Sequence, residues 1–136
     1  MKHDACRATK AFRYPGQNLY WSGTTGPYPD CKKVLENAFN GWIGEARYAT
    51  FAAINKCCGG NVGGQVIGHF TQVAKNSVIR IGCAMARYTT SRFKNSLVAC
   101  NYSYGNMVNE PVYRIGIPGR ACKKGRNSTY KSLCNV

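Results

Sequence analysis

Eight cysteines constrain the fold of this chain more than any other feature of its sequence; they stand at positions 6, 31, 57, 58, 83, 100, 122 and 134. So many thiols are a liability in a reducing compartment unless metal or disulfide bonds occupy them. Cys57 and Cys58 are adjacent and cannot chelate as a C-x-x-C pair does, and no histidine lies near Cys122 or Cys134. The pattern therefore favours disulfides over zinc, and with them a secreted, extracellular protein.

The length of 136 residues is that of one domain. A hydrophobic content of 44% excludes a disordered chain. No segment approaches the roughly 20 uninterrupted apolar residues that a bilayer crossing needs. We therefore expect one globular domain, a monomer, with no transmembrane segment.

The charge is strongly positive, because 19 lysines and arginines face only 5 acidic residues, which gives a formal net charge of +14. Such a field favours polyanions such as nucleic acid, acidic glycans or anionic lipid. A basic surface that serves only solubility explains the same charge equally well. The charge alone thus names no partner.

The segment that follows Asp30 has the spacing of an amphipathic helix of about 18 residues. Asp30 is a suitable N-cap. Glu45 lies beside the apolar stripe, where a carboxylate either reaches a cleft or lies in solvent. The stripe recurs at intervals of three and four residues: Val34, Leu35, Ala38, Phe39, Trp42, Ile43 and Ala46.

Residues 79–87 alternate apolar and small or polar side chains, which predicts a strand, and residues 97–102 predict its partner across a turn at 89–95. Cys83 and Cys100 could then face each other across the antiparallel pair. They are the first choice among the pairings that eight cysteines allow.

Three other segments carry signals of irregular structure. Proline and glycine punctuate residues 1–30, which predicts mostly loop. The glycine-rich segment 57–64 lacks the ending of a phosphate-binding loop and predicts a flexible connector pinned by disulfides. Cys122 and Cys134 could close the basic tail, residues 114–136, into a small loop.

Several motifs in a fixed order resemble those of a known family. They are Gly68 to Val73, then Gly82-Cys83, then Cys100-Asn101-Tyr102 with Gly105-Asn106. They look like the two signature motifs of the CAP superfamily, the cysteine-rich secretory, antigen 5 and pathogenesis-related proteins. The antigen 5 branch of arthropods is resembled further by the segments 3–7, 14–18 and 42–45 and by Asn109-Glu110.

The resemblance covers about residues 3–113 and implies an α+β fold, an α/β/α sandwich of CAP type with a small antiparallel sheet, stapled by disulfides. We therefore expect a CAP domain over residues 1–113 and a basic two-cysteine extension over 114–136. The first helix of the family has no counterpart before His3. We expect the sequence to be incomplete at its N-terminus; a degenerate, truly short member of the family is the alternative.

The same resemblance implies a cleft that holds four functional side chains: His3, Gln17, Glu45 and His69. Family members carry two histidines and two acidic residues there, so Gln17 is a departure. Imidazole and carboxylate groups suit Zn²⁺, but a neutral amide removes one compensating charge. No cofactor is expected to be required, and a divalent metal such as zinc is expected to bind weakly to His3, Glu45 and His69.

A second departure is Lys75, which stands where the family usually has tryptophan. Together with Arg80 and Arg92 it predicts a basic rim that favours anionic partners. The function implied is that of a secreted, non-enzymatic binding protein for a lipid or sterol, a small ligand, an anionic glycan or a host protein, with no specific nucleic acid.

Two alternatives remain open. One is a metal-assisted hydrolase or peptidase that uses the histidine and glutamate cleft. Against it, Ser77 and Ser103 do not stand in a recognisable nucleophile motif. The other is a basic, disulfide-stapled module that blocks channels or proteases through the tail, with an inert cleft.

Overall fold

A three-stranded antiparallel sheet organises the fold, in a computed structural model that describes residues 1–57 and 59–135. Its strands are β1 (Gly16–Thr24), β4 (Ile81–Thr89) and, between them, β5 (Lys94–Tyr102). Two short strands, β2 (Asn61–Val62) and β3 (Gln65–Val66), form a separate hairpin. The hairpin lies within and just after the glycine-rich segment, so the predicted connector is partly ordered.

Three α-helices accompany the sheet: α1 (Cys31–Gly44), α2 (Phe51–Asn55) and α3 (Gly68–Ala74). The Asp30 side chain accepts hydrogen bonds from the backbone N–H groups of Lys32 and Lys33, at 2.8 and 3.3 Å. The predicted N-cap is therefore confirmed. The helical segment continues past α1 as a 3₁₀ helix over Glu45–Tyr48. None of the helices in the described ranges is both long and apolar enough to cross a membrane.

The main core forms where α1 packs on the sheet. Trp42 also donates a hydrogen bond from Nε1 to the carbonyl of Leu19 in β1, at 3.3 Å. Leu35 and Ile43 remain 36% and 48% exposed, so the predicted apolar stripe is only partly covered. The buried members of this core are Val34, Ala38 and Trp42 from α1 and Val98, Cys100 and Tyr102 from β5.

Strand β1 was not predicted, although the rest of residues 1–30 is irregular, as expected. It pairs with β5 along its whole length, from Gly16 opposite Tyr102 to Thr24 opposite Lys94. Asn18 and Leu19 are adjacent and both buried, so the strand lacks the alternation that identifies a half-buried strand. Its pairing partner lies 70 to 86 residues away in sequence, which no local pattern shows.

The predicted strand pair is present with shifted bounds. β4 begins at Ile81 and ends at Thr89, and β5 begins at Lys94, so the turn is shorter than residues 89–95. The backbone N–H of Thr90 closes this turn by donating to the carbonyl of Phe93 at 2.8 Å.

The structure joins Cys83 to Cys100 between directly paired positions of β4 and β5, and Cys122 to Cys134 within the tail. Among the residues that the structure describes, Cys6, Cys31 and Cys57 take part in no disulfide, and Cys57 is buried. The prediction that disulfides pin the glycine-rich segment is therefore wrong at Cys57, because this thiol packs in a second small core with Ile54 and Val112. Cys58 lies outside the described residues.

Lys75 is buried at the end of α3, which corrects its predicted place on a basic rim. Its side chain is 2% exposed. The ammonium donates to Glu110 Oε2 at 3.1 Å and to the carbonyl of Pro111 at 2.8 Å. Tyr104 donates to the same carboxylate at 3.0 Å. A buried cation is tolerated only when it is paired and hydrogen-bonded in this way, so the charge of Lys75 is neutralised within the fold.

The first prediction concerns the disulfides. Peptide mapping without reduction should find the linked pairs Cys83 with Cys100 and Cys122 with Cys134. Replacing Cys83 and Cys100 together by alanine should lower the free energy of unfolding by about 3 kcal/mol, because the unfolded chain regains the entropy of the open loop.

The matched control replaces Cys122 and Cys134 by serine. This bond closes a loop within the tail, so urea unfolding of the core should be little changed. An equal loss of stability in both double variants, or linked peptides of another pairing, would contradict the assignment.

The second prediction concerns acid stability. Hydrogen bonds from Lys75 first, and from Tyr104 second, lower the pKa of Glu110 below its ordinary value. The folded protein therefore binds the proton less tightly than the unfolded chain, and the stabilisation is present above the ordinary pKa and lost as pH falls through the lowered one. In urea titrations between about pH 5 and pH 3, Glu110→Gln should show a shallower loss of stability than the native chain.

Lys75→Met is the control, because it fills the same volume without the charge that lowers the pKa of Glu110. Its acid profile should lie between those of the native chain and Glu110→Gln, because Tyr104 still donates to the Glu110 carboxylate. An unchanged steep profile in both variants would show that other carboxylates govern acid unfolding.

Candidate functional site

A cleft of about 380 Å³ opens beside the first residues of β1 and α3. It brings together His3, Gln17 and His69, three of the four side chains predicted for it. Glu45, the fourth, is not among the lining residues and lies behind His69. The full lining, which we call the cleft residues, is His3, Arg7, Gln17, Asn18, Gly59, Gly60, Gly68, His69, Gln72 and Asn106.

Glu45 orients His69 and caps the start of α3. Its Oε1 lies 2.6 Å from His69 Nδ1. Its Oε2 accepts from the backbone N–H groups of His69 and Phe70, at 2.9 and 3.0 Å. The first N–H groups of a helix have no hydrogen-bond acceptor within the helix. Here the Glu45 carboxylate, which belongs to the 3₁₀ helix, is the acceptor for two of them. Glu45 is therefore a positioning group for the imidazole.

His3 and Gln17 form a second pair. His3 Nδ1 lies 2.8 Å from Gln17 Oε1, and because an amide oxygen only accepts, Nδ1 must carry the proton. The Gln17 amide nitrogen donates to Asn101 Oδ1 at 2.9 Å and to the carboxylate of Asp4. Both imidazoles thus use Nδ1 for a fixed partner, and Nε2 of each has no partner within residues 1–57 and 59–135.

The arrangement does not fit a three-ligand metal ion. Within the part of the chain that the structure describes, no three histidine, cysteine, aspartate or glutamate side chains are grouped to hold one. Both oxygens of Glu45 are already engaged, and Gln17 supplies no charge. Weak zinc binding by His3, Glu45 and His69 stays a prediction, and no step of the function is derived through it.

Two amide side chains that were not predicted as site residues, those of Gln72 and Asn106, also line the cleft. Gln72 donates to the carbonyl of Tyr104 at 2.8 Å and accepts from the backbone N–H of Asn106 at 3.1 Å. The Gln72 amide occupies the space that a Cβ on residue 16 would need, so a side chain there would displace this amide. Gln72 and Asn106 lie within the two signature motifs, and this position was the sequence signal that could have identified them as site residues.

Asn18 links the sheet to the base of the cleft. Its amide nitrogen donates to the carbonyl of His69 at 3.0 Å and to the Tyr102 hydroxyl at 3.3 Å. Burial raises the pKa of Tyr102 to about 12, so the hydroxyl stays protonated at neutral pH. The indole of Trp42 stacks on the His69 ring, with centroids 6.3 Å apart. His69 is therefore fixed on several sides.

The charge at the cleft differs from the prediction. Among the described lining residues, Arg7 is the cation, whereas Lys75 is buried and paired and neither Arg80 nor Arg92 lines the cleft. Arg7 was missed because it lies in a segment without regular structure, whose position depends on tertiary contacts.

Comparisons with known proteins agree with these features. The family model described as CAP, cysteine-rich secretory protein family, matches residues 1–102. "Venom allergen-1" of Aedes aegypti is 34% identical over 98% of this chain and 52% of its own length. "Scoloptoxin SSD976" of Scolopendra dehaani is 33% identical over 95% of this chain and 56% of its own length. The chain thus spans about half the length of the curated relatives that it matches.

Among solved structures, Na-ASP-1 matches with a TM-score of 0.67 and 26% identity, over 89% of this chain and 30% of its own. The resemblance read from the signature motifs is confirmed, and so is the α+β, α/β/α fold class. The division into residues 1–113 and a tail at 114–136 stays a prediction.

The third prediction tests the role of Glu45. Glu45→Ala should lower the free energy of unfolding by about 2 kcal/mol, because two backbone N–H groups and one imidazole lose a charged acceptor. Glu45→Gln should lose less, because one acceptor oxygen remains. Urea unfolding measures both, and the amide resonances of His69 and Phe70 should shift most.

Glu36→Ala provides the control, since Glu36 is an exposed glutamate of α1. It should leave stability nearly unchanged. If Glu45→Ala were as stable as the Glu36 variant, the carboxylate would not hold α3.

Proposed function

This chain belongs to the CAP, or cysteine-rich secretory protein, family, and we propose that it is an extracellular binding protein that holds a small polar ligand in the cleft without transforming it. The lining of the cleft carries this proposal. Its described members are histidine, arginine, glutamine, asparagine and glycine. Such side chains offer hydrogen bonds in several directions and no large apolar surface, so a polar ligand fits better than a fatty acid or sterol.

The cleft is set up before a ligand arrives. Glu45 holds His69, Gln17 holds His3, and Gln72 holds Asn106. Fixed partners reduce the side-chain entropy that binding would otherwise cost. Both imidazole Nε2 atoms remain available for the ligand.

The electrostatics favour a ligand with negative charge. Arg7 lies in the lining, and the formal net charge of the chain is +14. A cleft in a positive field concentrates anions and raises their rate of association. We expect binding to weaken as salt rises.

The extracellular location is supported by the disulfides Cys83 with Cys100 and Cys122 with Cys134, because such bonds persist in oxidising compartments. The similarity to a venom allergen and to a scoloptoxin supports the same location.

A hydrolase is the less favoured reading. No serine, threonine or cysteine is found among the described cleft residues. Glu45, which would have to act as the general base, already accepts three hydrogen bonds. A carboxylate that is fully engaged is poorly placed to take a proton from water. A tail that blocks channels or proteases remains the third reading.

The fourth prediction tests the cleft. A fixed panel of small carboxylates, phosphate esters, amides, fatty acids and sterols is titrated into the protein labelled with ¹⁵N. Polar anions should shift the resonances of His3, Gln17, His69 and Asn106, and the panel members should be recovered chemically unchanged.

The variant His3→Ala should weaken this binding several-fold, because His3 lines the cleft and its one side-chain bond within the described residues is to Gln17. The double variant Lys123→Gln with Lys124→Gln in the tail should bind as the native chain does. Hydrolysis of a panel member that Glu45→Gln abolishes would instead establish the enzyme, and loss of binding only in the tail variant would favour the tail.

A further inference from the structure

A second pocket, of about 300 Å³, lies between the N-terminal arm, which we define as residues 1–15, and the loop at residues 105–107. We call it the arm pocket. The backbone N–H of Gly105 donates to the carbonyl of Tyr14 at 2.7 Å and so holds the arm against this loop. A Cβ on residue 105 would come within 3.3 Å of the carbonyl of Tyr14 and the backbone nitrogen of Gly16. The close approach that shapes the pocket therefore suits glycine.

Two arginines, Arg7 and Arg13, are among the residues that line the arm pocket. The ion pairs found within residues 1–57 and 59–135 are His69 with Glu45 and Lys75 with Glu110, so neither arginine is neutralised by them. The carboxylate of Asp4 accepts from Gln17, and Arg7 donates to the backbone carbonyl of Asp4 instead. Both positive charges remain for an anion, and guanidinium groups bind carboxylate in paired hydrogen bonds.

Two further polar atoms at this wall have no partner. Arg7 Nε and Asn106 Oδ1 are buried, and neither has a hydrogen bond in the described residues. One is a donor and the other an acceptor. Unsatisfied buried groups are rare and call for an explanation, such as a missing ligand. A ligand that satisfies both must carry an acceptor and, close to it, a hydroxyl or amide donor.

The remaining lining is mostly apolar. Tyr14, Pro15 and Met107 contribute to it, and Tyr14 is 60% exposed. An aromatic ring beside charged and amide groups suits a compact ring that has one apolar face and a polar edge.

We propose that the arm pocket binds an acidic sugar unit of the uronate class. The carboxylate lies on Arg7 and Arg13, a neighbouring hydroxyl donates to Asn106 Oδ1, and the sugar ring lies on Tyr14. This site is separate in function from the cleft, although Arg7 and Asn106 line both. It requires neither imidazole.

The fifth prediction tests the arm pocket by calorimetry on the full chain, with glucuronate, glucose and inorganic sulfate as probes. Glucuronate should bind more tightly than sulfate, and glucose should show no measurable binding. Arg7→Lys keeps the charge but removes the Nε donor, and it should weaken glucuronate binding about tenfold, which corresponds to one lost charged hydrogen bond. Arg13→Gln should weaken it to a similar extent.

Two controls separate this site from the rest of the molecule. Arg80→Lys changes an exposed arginine outside the pocket and should bind glucuronate as the native chain does. The second control is the location of the signal in ¹⁵N-labelled protein. Glucuronate in the arm pocket should shift the resonances of Ala8, Arg13 and Met107, which line that pocket and not the cleft, whereas a cleft ligand should shift those of Gln17 and His69, so failure of the cleft proposal and failure of this one are distinguishable. Thermal melting of each variant shows whether it is folded. If Arg7→Lys does not fold, the affinity of Arg13→Gln for glucuronate tests the proposal.

Three results would overturn the proposal. Equal affinity for glucuronate in the native chain and in both arginine variants would show that neither guanidinium group contacts the ligand. Equal affinity of the native chain for glucose and glucuronate would show that the pocket does not require a negative charge on its ligand. Equal affinity for sulfate would leave an anion site that does not recognise a sugar.

Discussion

The carboxylate of Glu45 joins the helical layer to the cleft, and the rest of the site depends on it. It accepts from two backbone N–H groups at the start of α3 and from the His69 ring. One side chain therefore fixes where α3 begins and how the imidazole is turned. Because the same oxygens are fully engaged, Glu45 shapes the cleft without being free to act in it.

Amide side chains hold other parts of the cleft in place. Asn18 connects the sheet to the His69 backbone, and Gln72 holds the loop at residues 104–106. Amides donate and accept at once, so a few buried ones can tie several loops together without burying charge. The result is a polar cavity with fixed walls in a strongly basic chain, which suits recognition of an anion.

Several parts of this structure could be predicted from local sequence. Asp30 and the spacing of Val34, Ala38 and Trp42 predicted α1, and the alternation around Cys83 predicted β4. β1 was missed because Asn18 and Leu19 are both buried and its partner strand is distant in sequence. His3, Gln17 and His69 were found through the signature motifs. Arg7 was missed because nothing local shows where an irregular arm packs.

The sequence by itself determined the family, the chemistry of the cleft side chains and the basic character, since these depend on residue identity and order. The tertiary structure decided which of those groups are free. It buried Lys75 against Glu110 and set Glu45 behind His69, and within the described part of the chain it left Arg7 and Arg13 without acidic partners. The reason is physical: the ability of a charged group to bind a ligand depends on the neighbours that already satisfy it, and packing chooses those neighbours.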